Sequence, residues 1–169
     1  MRAYLVYSIL LLLLIGQLPM ATAQEKQGQA RIDSLLNQLK KVKEDTGKVN
    51  LLNNLSTAYG YINPEEGIKT GNEALSLSTK LDWEKGKAGA MNAIGLNYEG
   101  RSDYPGALKY YVSALEIFEK LKDKKGIAAS LGNIGIIYDY QSNYSKALEY
   151  YFKVVQMCEA LGDRHGAAA

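Results

Sequence analysis

The chain is built from copies of one segment that recur at a fixed step, and this period limits the possible folds more than any other feature of the sequence. Gly86, Gly126 and Gly166 are evenly spaced, at the same place in three successive copies. Other residues recur at the same step, in the pairs Tyr98 and Tyr138, Ala107 and Ala147, and Tyr111 and Tyr151. A period of about 40 residues is typical of a solenoid, in which each copy is one supersecondary unit packed on its neighbours.

Within each copy the apolar residues predict two helices joined by a short turn. In the second copy these helices are predicted over about residues 87–100 and 105–122, because apolar side chains follow one another at three- and four-residue steps. Asp103 is placed to cap the second helix, and Pro105 suits its first turn. The predicted buried stripe of this helix is Ala107, Leu108, Tyr111, Ala114, Leu115, Phe118 and Leu121.

Three complete repeats and the start of a fourth follow from this period. They span residues 47–85, 86–125, 126–165 and 166–169. Before them, residues 24–46 are predicted to form a polar lead (24–30) and a single helix that covers the apolar end of the first repeat. The apolar residues of this helix are Ile32, Leu35, Leu36, Leu39 and Val42.

The first repeat departs from the other two. Its turn is predicted to be one residue shorter, because the step from Tyr59 to Tyr98 is shorter than the step from Tyr98 to Tyr138. Gly67 and Gly71 take places that an alanine and a tyrosine hold in the second repeat. Since a glycine inside a helix costs about 1 kcal/mol relative to alanine, we predict that the first repeat is the least stable.

Residues 1–23 are predicted to be a cleavable signal peptide. Arg2 supplies a positive charge, residues 3–15 are almost wholly apolar, and small residues at Ala21 and Ala23 favour cleavage before Gln24. The alternative is an uncleaved membrane anchor, but an apolar core of about 13 residues is short of the roughly 20 that span a bilayer. We therefore expect an exported protein, periplasmic or extracytoplasmic in a Gram-negative bacterium.

The charge balance and the cysteine content exclude some partners and some means of stabilisation. The formal net charge is +2 and no basic block occurs, so we expect neither nucleic-acid binding nor membrane contact by the mature repeats. Cys158 is the only cysteine, so the fold has no internal disulfide, and we interpret this residue as a small buried side chain. The 13 tyrosines, against one tryptophan and two phenylalanines, are unusual.

No pattern in the sequence predicts an enzyme. His165 is the only histidine and falls in a predicted loop, so neither a metal site nor a nucleophilic triad can be assembled around it. No glycine-rich turn follows a strand and carries a lysine, so a phosphate loop is not predicted. We therefore expect no catalytic activity and no cofactor in this chain.

The helix-turn-helix copies resemble tetratricopeptide repeats. The residues that carry the resemblance are Gly95, Tyr98, Ala107, Tyr111, Ala114, Gly135, Tyr138, Ala147 and Tyr151. The resemblance implies an all-α solenoid of antiparallel helix pairs that binds a protein or peptide. The period is longer than that of the common repeat and is similar to that of the long-repeat branch that includes kinesin light chains. Gly95 and Gly135 lie in mid-helix and predict a close approach of the second helix, through Ala107 or Ala147 of the same repeat.

The amino-acid sequences of the repeats are also similar to those of the exported sensor regions of two-component histidine kinases, especially those from Bacteroidetes. Residues 131–138, 143–151, 32–36 and 44–49 carry this second resemblance. It implies that the chain is the N-terminal part of a signalling receptor. The alternative is a secreted or periplasmic scaffold with no signalling output.

In this family the first helix of each repeat lines the concave face, which implies a peptide-binding groove. The candidate groove residues are Asn53, Asn54, Asn92, Leu96, Glu99, Asn133, Ile136, Asp139 and Tyr140. An asparagine amide can both donate to and accept from an extended peptide backbone. The alternative is that these asparagines bond to loops or to neighbouring helices. Because the period breaks off inside a repeat, we also expect that the protein continues or that a partner covers the last repeat, including a second copy of the chain.

Overall fold

Seven helices follow one another along residues 25–160, the part of the chain that the computed structural model describes. They are α1 (25–39), α2 (Thr46–Tyr59), α3 (Pro64–Lys80), α4 (Glu84–Gly100), α5 (Tyr104–Lys120), α6 (Lys124–Tyr140) and α7 (Tyr144–Ala160). This range contains no strand, and none of its helices is long and apolar enough to cross a membrane. The predicted signal peptide, His165 and the start of a fourth repeat lie outside the described residues.

Short turns with side-chain caps set where the helices begin. Asp103 caps α5 by accepting a hydrogen bond from the backbone N–H of Gly106, as predicted, and Asp123 caps α6 through Gly126 in the same way. Each cap satisfies one of the N–H groups that a helix start leaves without an intrahelical partner. Most of these turns also carry one residue with a positive φ, namely Asp82, Ser102, Lys122 and Ser142.

The stack of helices curves, with the first helix of each pair on the inner side. Among the described helices α2 contacts α4 and α4 contacts α6, whereas no contact joins α3 to α5 or α5 to α7. Helices that stay in contact must form the inside of a curved stack, and those that diverge must form the outside. The concave face is therefore built by α2, α4 and α6.

The N-terminal helix covers the first repeat, as predicted. Ile32 and Leu35 of α1 are buried against Leu55 of α2. Two details of the prediction were wrong. Residues 25–30 belong to the helix instead of forming a loose polar lead. Leu36 and Val42 are exposed, because one lies on the outer side of α1 and the other beyond its end.

The prediction of a shorter turn in the first repeat was wrong. This repeat is one residue shorter because its first helix ends early. α2 stops at Tyr59, whereas α4 continues for two residues beyond Tyr98, and the connection between α2 and α3 is four residues long (60–63). Side chains of a neighbouring helix occupy the space beside the two glycines of α3, Gly67 and Gly71. A side chain at Gly67 would meet the carboxamide of Asn97, and one at Gly71 would meet Ile94. These glycines therefore accept side chains of α4.

The second helices bury most of the stripe that the sequence predicts. Ala107, Tyr111, Ala114 and Phe118 are buried, but Leu121 is 45% exposed because it follows the end of α5. In α7 the equivalent residues Ala147 and Cys158 are also buried. Leu148, which corresponds to Leu108, is 54% exposed, and Phe152, which corresponds to Val112, is 64% exposed.

Candidate functional site

A tyrosine ring crosses the first helix of a repeat where that helix has a glycine. The β-carbon of a side chain at Gly95 would lie 2.6 Å from Cε1 of Tyr111, and one at Gly135 would lie 2.7 Å from Cε1 of Tyr151. The close approach predicted at these glycines is confirmed, but its partner was wrong. The tyrosine ring of the second helix makes it, and not Ala107 or Ala147, because the larger side chain reaches farther across the interface.

This crossing brings the Tyr111 hydroxyl to Glu99, one helical turn beyond Gly95. Tyr111 is fully buried, and its hydroxyl donates a hydrogen bond of 2.8 Å to Oε2 of Glu99. Tyr61, from the connection between α2 and α3, donates a second hydrogen bond of 2.5 Å to Oε1 of the same carboxylate. Glu99 itself is only 5% exposed. Two tyrosines from different repeats thus converge on one buried carboxylate at the end of α4.

The environment of this cluster keeps both tyrosines protonated. Burial raises the pKa of Tyr111 well above its usual value, and the neighbouring Glu99 charge and hydrogen bond raise it further. Burial likewise raises the pKa of Tyr61, followed by the hydrogen bond to Glu99 and the proximity of Tyr140. The hydroxyls therefore remain hydrogen-bond donors to Glu99 throughout the neutral pH range.

A third tyrosine forms the open side of the cluster. Tyr140, at the end of α6, is 52% exposed, and its ring stacks on that of Tyr104 with centroids 5.6 Å apart. Asp139 precedes it and is exposed to solvent. We call the set of Glu99, Tyr61, Tyr104, Tyr111 and Tyr140 the tyrosine–glutamate cluster. It presents aromatic rings above a carboxylate at one end of the concave face.

Two of the predicted groove asparagines hold neighbouring first helices together. The Asn53 amide of α2 donates to the carbonyl of Gly86 in α4 at 3.3 Å. The Asn92 amide of α4 exchanges hydrogen bonds of 3.0 and 3.1 Å with the Ser130 hydroxyl of α6. For these two residues the alternative interpretation, bonding to a neighbouring helix, describes what the structure shows.

The other predicted groove residues differ in how far they reach solvent. Asn54, Ile136, Asp139 and Tyr140 are exposed. Leu96 and Asn133 are half-buried. Glu99, predicted to share the open face, lies beneath the tyrosines instead. The surface available to a partner therefore includes the exposed residues of α2 and α6 and the tyrosines around Glu99.

Nothing in the sequence predicts Tyr61 or Tyr104 as site residues, and Tyr111 is predicted to contribute only to packing. Tyr61 lies in the one irregular connection, so it has no counterpart at the step of the repeat. The contact between Tyr111 and Glu99 joins two helices and leaves no periodic signal. The large number of tyrosines is the feature of the sequence that could have indicated this cluster, because tyrosine supplies an apolar ring and a polar hydroxyl together.

Other features of the described chain show less specific chemistry. A cleft of about 850 Å³ beside α2 and α3 is lined by charges of both signs. Several of these charges neutralise one another, as Lys80 does with Glu44 at 2.9 Å. Within residues 25–160 no group of three or more histidine, cysteine or acidic residues could hold a metal ion. Cys158 is buried, as predicted.

The comparisons with known proteins agree with this architecture. Residues 87–160 match the family model described as the tetratricopeptide repeat. A search of curated proteins finds no significant match.

Solved structures with the same fold include aspartyl phosphate phosphatase F from Bacillus subtilis, with 18% identity and a TM-score of 0.68 over 80% of this chain and 39% of that one. A Rap protein complexed with Competence and Sporulation Factor has 22% identity and a TM-score of 0.71, over 83% of this chain and 41% of that one. The tetratricopeptide domain of Arabidopsis FLU has 24% identity and a TM-score of 0.54 over 80% and 98%. The chain spans about two fifths of the length of the first two, and likenesses at these identities show the fold alone.

Proposed function

We propose that this chain is a binding module that holds a protein or peptide partner against its concave face. The observation that carries this proposal is the exposed side chains of Asn54, Ile136, Asp139 and Tyr140 on the inner helices. They combine apolar, aromatic and hydrogen-bonding groups on a preformed curved surface, as recognition surfaces for peptides do. The tetratricopeptide fold and the complex of the Rap protein with Competence and Sporulation Factor support the same kind of work.

A pair of matched substitutions tests this role. Peptides are selected from a random displayed library against the purified chain, and their affinities are measured for two variants. Ile136→Lys places a charge on the concave face, whereas Val112→Lys makes the same kind of change on α5, on the outer side. We expect Ile136→Lys to weaken binding at least tenfold and Val112→Lys to leave it unchanged. Failure to select any binder, or equal effects of the two variants, would contradict the proposal.

The finer role that we propose is that of an extracytoplasmic sensor region in a signalling receptor such as a histidine kinase. The support is the resemblance of the repeats to such regions and the signal-peptide pattern of residues 1–23. A scaffold that assembles other proteins without a signalling output is the second candidate. Reading the coding frame beyond residue 169 separates them. A membrane helix followed by a kinase or cyclase domain would support the receptor, and a stop codon would favour the scaffold.

A further inference from the structure

Glu99 is a buried carboxylate that forms no ion pair within the described part of the chain. Its two oxygens accept hydrogen bonds from the hydroxyls of Tyr61 and Tyr111. None of the salt bridges among residues 25–160 includes it. Arg101, two residues further on, pairs with Glu65 at 3.2 Å instead. Among the described residues, the negative charge of Glu99 therefore lacks a cation.

Glu99 accepts the hydrogen bond of the buried Tyr111 hydroxyl, but an uncharged acceptor could do the same without the cost of burying a charge. Removing a carboxylate from water without a counter-ion destabilises a folded protein, and hydrogen bonds from hydroxyl groups offset only a part of this cost. The first repeat has Gly60 at the corresponding place. The third repeat also has an acid, Asp139, near its crossing tyrosine, Tyr151, but that acid is exposed, so the burial of the acid distinguishes the second repeat.

The rings around Glu99 favour a cation as the group that is bound. Tyr61 and Tyr140 are 66% and 52% exposed, so part of each ring is open to a partner, although one face of Tyr140 stacks on Tyr104. The face of an aromatic ring attracts a positive charge. A phenol that donates a hydrogen bond to a carboxylate is polarised, which makes its ring more electron-rich and strengthens this attraction. Asp139, exposed beside Tyr140, adds a second negative charge at the same end of the groove.

We propose that the tyrosine–glutamate cluster receives a basic side chain, lysine or arginine, of the bound partner, an inference that rests on the binding role proposed above. The cation lies against the exposed faces of Tyr61 and Tyr140. Glu99 supplies the negative charge beneath them and stays hydrogen-bonded to Tyr61 and Tyr111. The cluster thereby selects partners with a positive charge at one position, while the rest of the concave face holds the remainder of the chain.

The test uses the peptides selected for concave-face binding. We expect them to share lysine or arginine at one position, and replacement of that residue by norleucine, which keeps the aliphatic length, to lower the affinity about tenfold. Glu99→Gln should weaken the basic peptide to the same extent and leave the norleucine peptide unchanged, because the two changes remove the same interaction. Glu84→Gln is the control, since Glu84 is an exposed glutamate at the start of the same helix.

A second variant keeps the test decisive if Glu99→Gln does not fold. Tyr61→Leu removes a ring that is largely exposed, so it should preserve the fold and still weaken the basic peptide several-fold. If peptides bind in a manner sensitive to Ile136→Lys but show no basic preference and no response at Glu99 or Tyr61, the cation pocket is wrong while the binding role stands. If no peptide binds the concave face, both are wrong. A preference for acidic peptides would also overturn the cation pocket.

Discussion

At the scale of single residues, the absence of one β-carbon lets a tyrosine cross a helix and reach a carboxylate. Gly95 leaves room for the ring of Tyr111, and this crossing places the Tyr111 hydroxyl beside Glu99. The sequence predicted that a close approach occurs at Gly95. It could not predict which side chain makes the approach, because Ala107 and Tyr111 recur with the same period and only the packed interface distinguishes them.

We predict that Gly95→Ala destabilises the protein by about 1–3 kcal/mol, the usual cost of overpacking a core. The added methyl group would lie 2.6 Å from a ring that is fully buried and fixed by its hydrogen bond to Glu99. Gly132→Ala is the control, because nothing lies within 4 Å of its added carbon. That change should raise stability by up to about 1 kcal/mol through helix propensity. Denaturant unfolding measures both, and a similar response of the two variants would rule out the crossing.

The tyrosines of the cluster predict a loss of stability in alkaline solution. Burial and Glu99 raise the pKa of Tyr61 and Tyr111 above the usual value of about 10, so the folded state holds protons that the unfolded state releases. The stability that they contribute is therefore complete below about pH 10 and is lost as the pH rises from there toward the raised values. The free energy of unfolding, followed against pH, should decline less steeply for Tyr111→Phe than for the parent chain. Equal slopes would show that Tyr111 titrates normally.

At the scale of helices and turns, most of the architecture could be predicted because it is periodic. The apolar stripes of the second copy predict α4 and α5, and the place of Asp103 before Pro105 predicts the cap of α5. The failures lie where the period does not apply. Residues 25–30 extend α1 although they are polar, and the shortened end of α2 places Tyr61 in a connection with no counterpart. Contacts that join different helices, such as the one between Asn92 and Ser130, cannot be predicted from the apolar residues of one helix.

The capping aspartates make a prediction at this scale. Asp123 caps α6 and also pairs with Lys85 at 2.6 Å, and this pairing is the largest cause of its lowered pKa, ahead of the hydrogen bond from Gly126. Asp123→Ala should cost about 1 kcal/mol, the typical value for a lost cap. Asp123→Asn should cost less, because asparagine also caps helices. Thermal unfolding of the two variants checks this order, and equal losses for alanine and asparagine would assign the stabilisation to the charge pair instead.

At the scale of the whole molecule, the curved stack separates an inner from an outer surface. The outer helices diverge, whereas the inner helices stay in contact and carry the tyrosine–glutamate cluster at one end. The proposed kind of work, binding of a protein or peptide, could be inferred from the resemblance of the repeats. The chemistry of the site could not, because Glu99, Tyr61 and Tyr140 come from three different repeats and meet only after stacking.

The N-terminal pattern predicts how the protein is processed. Expressed at full length in a Gram-negative host, the chain should be recovered from the periplasm with Gln24 as its first residue, because Ala21 and Ala23 are small residues at the two positions that determine cleavage. Mass spectrometry of the purified protein reads this terminus directly. Recovery from the cytoplasm with Met1 or Arg2 still in place would contradict the prediction, and a variant with Ala23→Arg should remain uncleaved.

The most direct test of the central claim is to map a bound peptide onto the protein by nuclear magnetic resonance. Backbone and side-chain signals are assigned, a peptide selected against the chain is titrated in, and the shifted residues are placed on the structure. Binding on the concave face predicts shifts along α2, α4 and α6, including Ile136 and the rings of Tyr61 and Tyr140, with Val112 unaffected. Shifts confined to α3, α5 and α7 would contradict this account.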